Sequence, residues 1–542
     1  MQFSLRFVSF VCGLLTVSTA SSAPPAITGI SPAGVQAGQS TKVTLHGTVG
    51  DPVPQIWYSR PGITLTPGEK PAEWTLAAAA DTPPGVAWLR FHNPEGATDL
   101  RPIYVGTLPE IAETEPNNTN SQAQKIETLP VLVNGVLHKG GELDSFAVNL
   151  EAGQVFTASL EAHRSLGSPM DGVLQAVGHD GFVFAQNDDD REFDPQLTFT
   201  APRPGTYTIR VFAFPSDPNS TINYAGAETY IYRLTLATGP VADHVLPLAI
   251  ASGATPPAPL HLHFAGLQAD PVSVVPTLIE GEAFLPTTGP TSFLAHRLPV
   301  VTIPLTLEAT PADPAQPQAL SLPACLTGHV AAPGEVDTYR FTGEKGKTVR
   351  FSVEARRFDS PLDPLLRLRG PDGKVLKEQD DEGRKSLDIE MGYTLPADGE
   401  YRFEITDRFR AGGPRYAYLL TVDIPGPDFR LTTDANHWTL KSGTPLEIPV
   451  AIERQSAFAE EILITVEGLP ADSGITVAET KSVVQGETAK SVKLKLESQG
   501  TMPLSLPIRI IGTSGGTTRR ADAPIAGVPD RTANFWLTAP KK

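Results

Sequence analysis

Cysteine and charge are both scarce in this chain, and each shortage narrows what it can be. Only Cys12 and Cys325 occur in 542 residues. Cys12 lies in an apolar leader, so a processed chain keeps one thiol and has no intrachain disulfide. Such a chain must rely on hydrophobic cores and on any metal it binds. Charged residues make up 19%, below the ~25% of an average soluble domain. Basic residues number 43 against 60 acidic ones, a net charge of −17. That balance excludes a general nucleic-acid binder, which must neutralise phosphates with clustered Lys and Arg. No apolar run approaches the ~20 residues of a membrane-spanning helix. HExxH, paired CxxC, P-loop and dinucleotide-binding patterns are all missing.

What is present points to β structure. Proline, at 52 residues, is nearly twice its usual share, and 47 glycines accompany it. Hydrophobic residues at 40% are enough to fill several cores. The length predicts roughly three to five domains. Residues 1–20 read as an export signal: Arg6, then the apolar run Phe7 to Val17, then small residues, with cleavage expected after Ala20. The expected destination is extracellular, cell-surface or periplasmic, with no transmembrane span once the signal is removed.

The most informative feature is an internal repeat. Leu129–Val148 aligns without a gap on Leu322–Phe341. Gly135 falls over Gly328, Gly141 over Gly334, Glu142 over Glu335, Asp144 over Asp337 and Phe146 over Tyr339. Further on, Ser168-Pro169-Met170-Asp171 meets Ser360-Pro361-Leu362-Asp363, and Gly205-x-Tyr207 meets Gly399-x-Tyr401. Inside each copy, apolar and polar residues alternate between turn signals, as in Tyr207-Thr208-Ile209-Arg210-Val211-Phe212. Asp180-Gly181 and Asp372-Gly373 each separate two such runs, a strong hairpin signal. The expected fold class is all-β: tandem antiparallel β-sandwiches, two of them jelly-roll-like, with immunoglobulin-like domains beside them.

The ordered motifs Glu113-Thr114-Glu115-Pro116-Asn117-Asn118, Gly141-Glu142-Leu143-Asp144-Ser145-Phe146, Asn187-Asp188-Asp189-Asp190 and Ala201-Pro202-Arg203-Pro204-Gly205-Thr206-Tyr207 resemble the bacterial pre-peptidase C-terminal (PPC) domain. The resemblance implies a β-sandwich of a kind appended to secreted bacterial hydrolases. Such domains also occur in large non-catalytic secreted proteins of planctomycete-like bacteria. Residues 24–108, with Ile30-Ser31-Pro32-Ala33-Gly34, resemble an IPT/TIG-type immunoglobulin-like domain. The expected order is that domain, a PPC-like sandwich over 109–240, a degenerate immunoglobulin-like domain over 241–310, a second PPC-like sandwich over 311–425, and an immunoglobulin-like sandwich over 426–542.

Calcium is the expected cofactor. Ca²⁺ takes six to eight oxygen ligands, and Glu113, Glu115, Asn117 and Asn118 offer four side chains within six residues. The competing reading is a polar linker with an Asn-rich turn. In collagen-binding PPC relatives a linker of this form wraps calcium with acids from the first strands. By motif position that carries over to Glu113, Glu115, Asn117, Asn118 and Asp144, with Glu142 the substitute for a further acidic ligand. The segment before Leu322 begins Thr310-Pro311-Ala312-Asp313 and lacks the paired Glu and Asn, so one site per chain is expected.

Other motifs carry less. Gly512-Thr513-Ser514-Gly515-Gly516 satisfies G-x-S-x-G, but strand-like residues flank it on both sides, so a Gly-rich hairpin turn is expected. The acidic run from Asn187 to Asp194 is expected to be a solvated loop, and His261 with His263 has no third ligand placed nearby. Trp57, Tyr58, Trp74 and Trp88 are expected in the first domain's core, with sugar or peptide stacking as the alternative. The functional expectation is an exported, non-catalytic array that binds a polymer (protein or polysaccharide) or a partner protein at the envelope or outside the cell. The alternatives are a secreted peptidase, an accessory to another hydrolase, or a structural spacer in a surface layer.

Overall fold

The computed structural model describes residues 22–218, 222–253, 258–266, 270–279, 282–285, 298–309, 315–381, 387–498 and 503–540. The expected signal segment lies outside the described residues. The fold is all-β: the described helical elements are one turn at His163–Leu166 and a 3₁₀ turn at Arg356–Phe358. Among the described residues no helix is long and apolar enough to cross a membrane.

The repeat appears as two sandwiches with the same strand order. In the first copy one sheet runs Glu110–Ala112, Val131–Val136, Ile231–Thr238, Val155–Glu161, Gln196–Thr200. The facing sheet runs Gln124–Lys125, Asp144–Leu150, Gly205–Pro215, Met170–Val177, Val183–Asn187. The second copy repeats both orders, from Leu305–Leu307 and from Gln318–Ala319. Period-two alternation explains the layering. Phe146, Val148 and Leu150 point inward from one strand, and Phe156, Ala158 and Leu160 from a strand of the other sheet. The two expected hairpins form, with Gly181 and Gly373 taking φ of 79° and 77° in their turns.

One expected boundary moves. Leu305–Leu307 pairs parallel with Ala324–His329, just as Glu110–Ala112 pairs with Val131–Val136, so the second sandwich begins before residue 311. The preceding segment is not a self-contained sandwich among the described residues. It forms a three-stranded sheet, Ala242–Leu246, Leu260–Phe264 and Val272–Val274, and two small strand pairs. Its apolar side chains share a core with Cys325, Phe358, Ala417 and Leu419 on the back of the second copy. Its own apolar residues and those on the outer face of the second copy bury one another in this shared core. Cys325 is fully buried in that shared core.

The end domains are two-sheet sandwiches as well, and they touch. Ala87, Leu89 and Phe91 of Gly85–Asn93 face the first domain's core. The alternate residues Trp88, Arg90 and His92 are buried under the last domain. Arg90 donates to the carbonyls of Thr98 (2.7 Å) and Asn534 (3.2 Å) and to Asn436 Oδ1 (3.0 Å). Trp88 and Leu100 pack on Ile525. Trp74 lies in the first core, Trp536 is covered by the His92 ring at 4.4 Å, and Trp57 is half-buried beside Trp88.

Candidate metal centre

At the entry to the first copy, the backbone draws the linker onto the sandwich. Glu113 N donates to Asn134 O (2.9 Å), continuing the parallel pairing of Glu110–Ala112. Glu113 Oε1 then accepts Val136 N at 2.7 Å. Glu115 Oε2 accepts Asn117 N (3.0 Å) and Asn118 Nδ2 (3.1 Å), curling the chain into a turn. Asn117 O accepts Ser145 N at 3.0 Å and docks the turn beside the strand that starts at Asp144. Asp144 has the same inward parity as Phe146 and is fully buried.

These contacts gather Glu113, Glu115 and Asp144, with one carboxylate oxygen from each lying within 4.8 Å of the others. Tyr232 completes the floor. It sits opposite Gly135 in the antiparallel pair, and its hydroxyl reaches Asp144 Oδ2 (2.6 Å) and Glu113 Oε2 (3.0 Å). Gly135 is required there, because a Cβ would lie 2.2 Å from the Tyr232 ring and 2.7 Å from Glu113 Oε2. His138 Nε2 stands 3.9 Å from Glu113 Oε1. Burial raises the proton affinity of both Glu113 and Asp144, and at Asp144 the neighbouring Glu113 charge raises it further. Burial also pushes the Tyr232 hydroxyl well above its usual range.

The donor set fits a hard divalent cation. Its candidate ligand atoms are oxygens, and two of them, Asn117 Oδ1 and Asp144 Oδ1, are buried without a partner, as is Asp337 Oδ1 in the second copy. An unpaired buried polar group costs about 1–3 kcal/mol, which a coordinated cation offsets. Asn118 lies at the rim, bonded to Glu115. Glu142 turns elsewhere: its Oε2 accepts Lys139 N (3.1 Å) and closes a tight turn.

The second copy has the same frame but fills it differently. Glu308 stands where Glu113 does, with its N on Thr327 O (3.0 Å) and its Oε2 accepting His329 N (2.8 Å). Tyr418 donates to Asp337 Oδ2 at 2.7 Å, as Tyr232 does to Asp144. Tyr339, in place of Phe146, donates to Glu308 Oε1 (2.8 Å) and meets the Tyr418 hydroxyl at 2.5 Å. The counterparts of Glu115 and Asn117 are Thr310 and Ala312 by sequence, outside the described residues. Reading the linker from Thr310 misses Glu308, because the second linker is two residues shorter. Aligning Glu113-Thr-Glu-Pro on Glu308-Ala-Thr-Pro, and Tyr230-Ile-Tyr232 on Tyr416-Ala-Tyr418, recovers Glu308 and both tyrosines.

The other motifs resolve into structural roles. Ser514 ends a strand whose two-residue turn, Gly515-Gly516, leads into Thr517–Arg520, and its hydroxyl donates to Glu461 O (2.6 Å). In the acidic run Asp188 and Asp189 are exposed, whereas Asp194 is buried and accepts the amides of Ala162, His163 and Arg164. Asp190 forms a two-pronged pair with Arg415 of the second copy at 2.8 and 2.9 Å. His263 stacks on His244 at 4.5 Å, and His261 is exposed.

Residues 142–213 and 335–407 each match the bacterial pre-peptidase C-terminal domain, and the chain carries two such domains. Over 243 residues, 44% of this chain, it is 27% identical to a probable subtilase-type serine protease of Deinococcus radiodurans. That match spans 26% of the relative, so this chain covers about a quarter of it. Among solved structures, the pre-peptidase C-terminal domain of a Bacillus anthracis collagenase is covered in full by 21% of this chain, at 16% identity and TM-score 0.17. The M60 catalytic domain of Clostridium perfringens ZmpB with its two CBM51 domains matches over 75% of this chain and 54% of that one, at 10% identity and TM-score 0.15.

Proposed function

We propose that this two-PPC chain is an exported, non-catalytic binding protein that engages a protein or polysaccharide polymer, or a partner protein, at the envelope or outside the cell. One calcium ion orders the linker into its first PPC domain. The observation that carries the calcium reading is the Glu113, Glu115 and Asp144 cluster beside the unpartnered, fully buried Asn117. Glu113, Glu115, Asn117 and Asp144 would hold the ion, with Asn118 at the rim. Calcium supplies positive charge to carboxylates that are otherwise buried together. Glu113 and Asp144 would supply ligands from the sandwich, and Glu115 and Asn117 would supply them from the linker. Several modules in one chain raise avidity when their geometry allows simultaneous engagement.

The likeness to a subtilase-type protease favours a second reading, an accessory to a secreted peptidase. Co-sedimentation of the chain from Ser21 onward with insoluble polymers and purified envelope, in calcium and in chelator, tests the first. Calcium-dependent pelleting with one polymer supports it. Pelleting with none, together with peptide-bond cleavage in a casein assay, overturns it.

A further inference from the structure

Beyond the linker residues Glu115 and Asn117, which the second copy replaces with Thr310 and Ala312, the two copies differ at the carboxyl pair by one aromatic hydroxyl. In the first, the single hydroxyl hydrogen of Tyr232 faces both Asp144 and Glu113 and can serve only one at a time. Phe146 lies fully buried in the core beneath and has no polar atom to offer. In the second, Tyr418 donates to Asp337, and Tyr339, at the position of Phe146, brings a second hydrogen to Glu308. The backbone frame is otherwise repeated. Asp144 pairs with Val211 and Asp337 with Ile405, and Gly135 faces Tyr232 as Gly328 faces Tyr418.

We infer that the residue at this position sets whether the buried carboxyl pair depends on a cation. Phenylalanine leaves the first carboxyl pair dependent on one, and the Tyr339 hydroxyl stands in for it in the second. The inference rests on the calcium reading above and deepens it. It assigns a selecting role to a core residue that is not itself a ligand. It also explains how the second copy keeps a buried Asp337–Glu308 pair without the paired acid and amide of the first linker. A hydrogen donated to Glu308 replaces the attraction a cation would supply, at lower demand on the surrounding ligands.

The test is thermal unfolding and calorimetric calcium titration of the full chain from Ser21 onward, as wild type, Phe146→Tyr and Tyr339→Phe, with calcium chloride or chelator. Wild type is expected to bind one calcium and to melt at a higher temperature with it. F146Y is expected to lose calcium affinity at least 100-fold, and to melt in chelator at or above the wild-type value with no further rise in calcium. Y339F is expected to melt lower than wild type with and without calcium, and to gain no site. F146Y that folds and binds calcium as wild type does overturns the inference while leaving the calcium reading intact. A wild type with no calcium response overturns the reading itself. Should F146Y fail to fold, Y339F decides: an unchanged melting temperature shows that its hydroxyl stands in for nothing.

Discussion

Asn117 is the residue that most sharply separates a metal site from a polar turn. A solvated Asn-rich turn exposes its amides, whereas here the side chain is 0% exposed and unpartnered. Asn117→Ala should therefore change stability by less than about 1 kcal/mol in chelator, because it removes a group whose burial is itself unfavourable. In calcium the same variant should lose roughly tenfold or more in affinity, as measured by titration calorimetry. Glu115→Ala should abolish any calcium-induced rise in melting temperature, since it removes a ligand and the anchor of the turn together. A full-sized rise in E115A would remove Glu115 from the site. At this scale the sequence was informative for the local cluster: Glu113, Glu115 and Asn117 follow one another, and Asp144 opens a strand motif. It was silent on Tyr232, which reaches Asp144 only through strand register across the sheet.

Strand pairing turns scattered residues into a site. Gly135 and Gly328 occupy equivalent places opposite a tyrosine, and a Cβ at either would meet the ring at 2.2 Å. Neither glycine takes a positive φ, so the constraint is close approach and not backbone freedom. Gly135→Ala should cost about 1–3 kcal/mol in overpacking. It should also displace Tyr232 from the carboxyl pair and weaken calcium binding, whereas Gly328→Ala should destabilise without changing calcium binding. Chemical denaturation of the two variants in calcium and in chelator separates these outcomes. The strand repeat was legible because alternation and turn chemistry are local. The alternation in the 241–310 segment is local too, but the core it shares with Cys325, Phe358, Ala417 and Leu419 depends on packing between distant strands and was not legible.

The whole molecule is joined at its ends by a face the sequence did not reveal. Alternation in Gly85–Asn93 predicts one buried and one exposed side, yet Trp88, Arg90 and His92 are covered by a domain more than 300 residues away in sequence. Burial, reinforced by the charge of Arg90, lowers His92 to about 4, against 6.5 for a free histidine. Between those values the unfolded chain binds a proton that the folded chain does not, so stability falls as pH drops through that window. The melting temperature should decrease from pH 7 to pH 4.5, and His92→Gln should lessen the decrease. An equal decrease in wild type and variant would assign it to other groups. Across the copies, the Arg415 pair with Asp190 links the two PPC domains, and Arg415 also contacts Asp243 (3.1 Å) of the segment between them. The two PPC domains thus meet as neighbours in a chain whose end domains also touch. Of the two related frames, the first alone is expected to take calcium. Counting bound calcium per chain by equilibrium dialysis tests it most directly. The account predicts one ion for wild type and none for Glu115→Ala; two ions, or none, in wild type would contradict it.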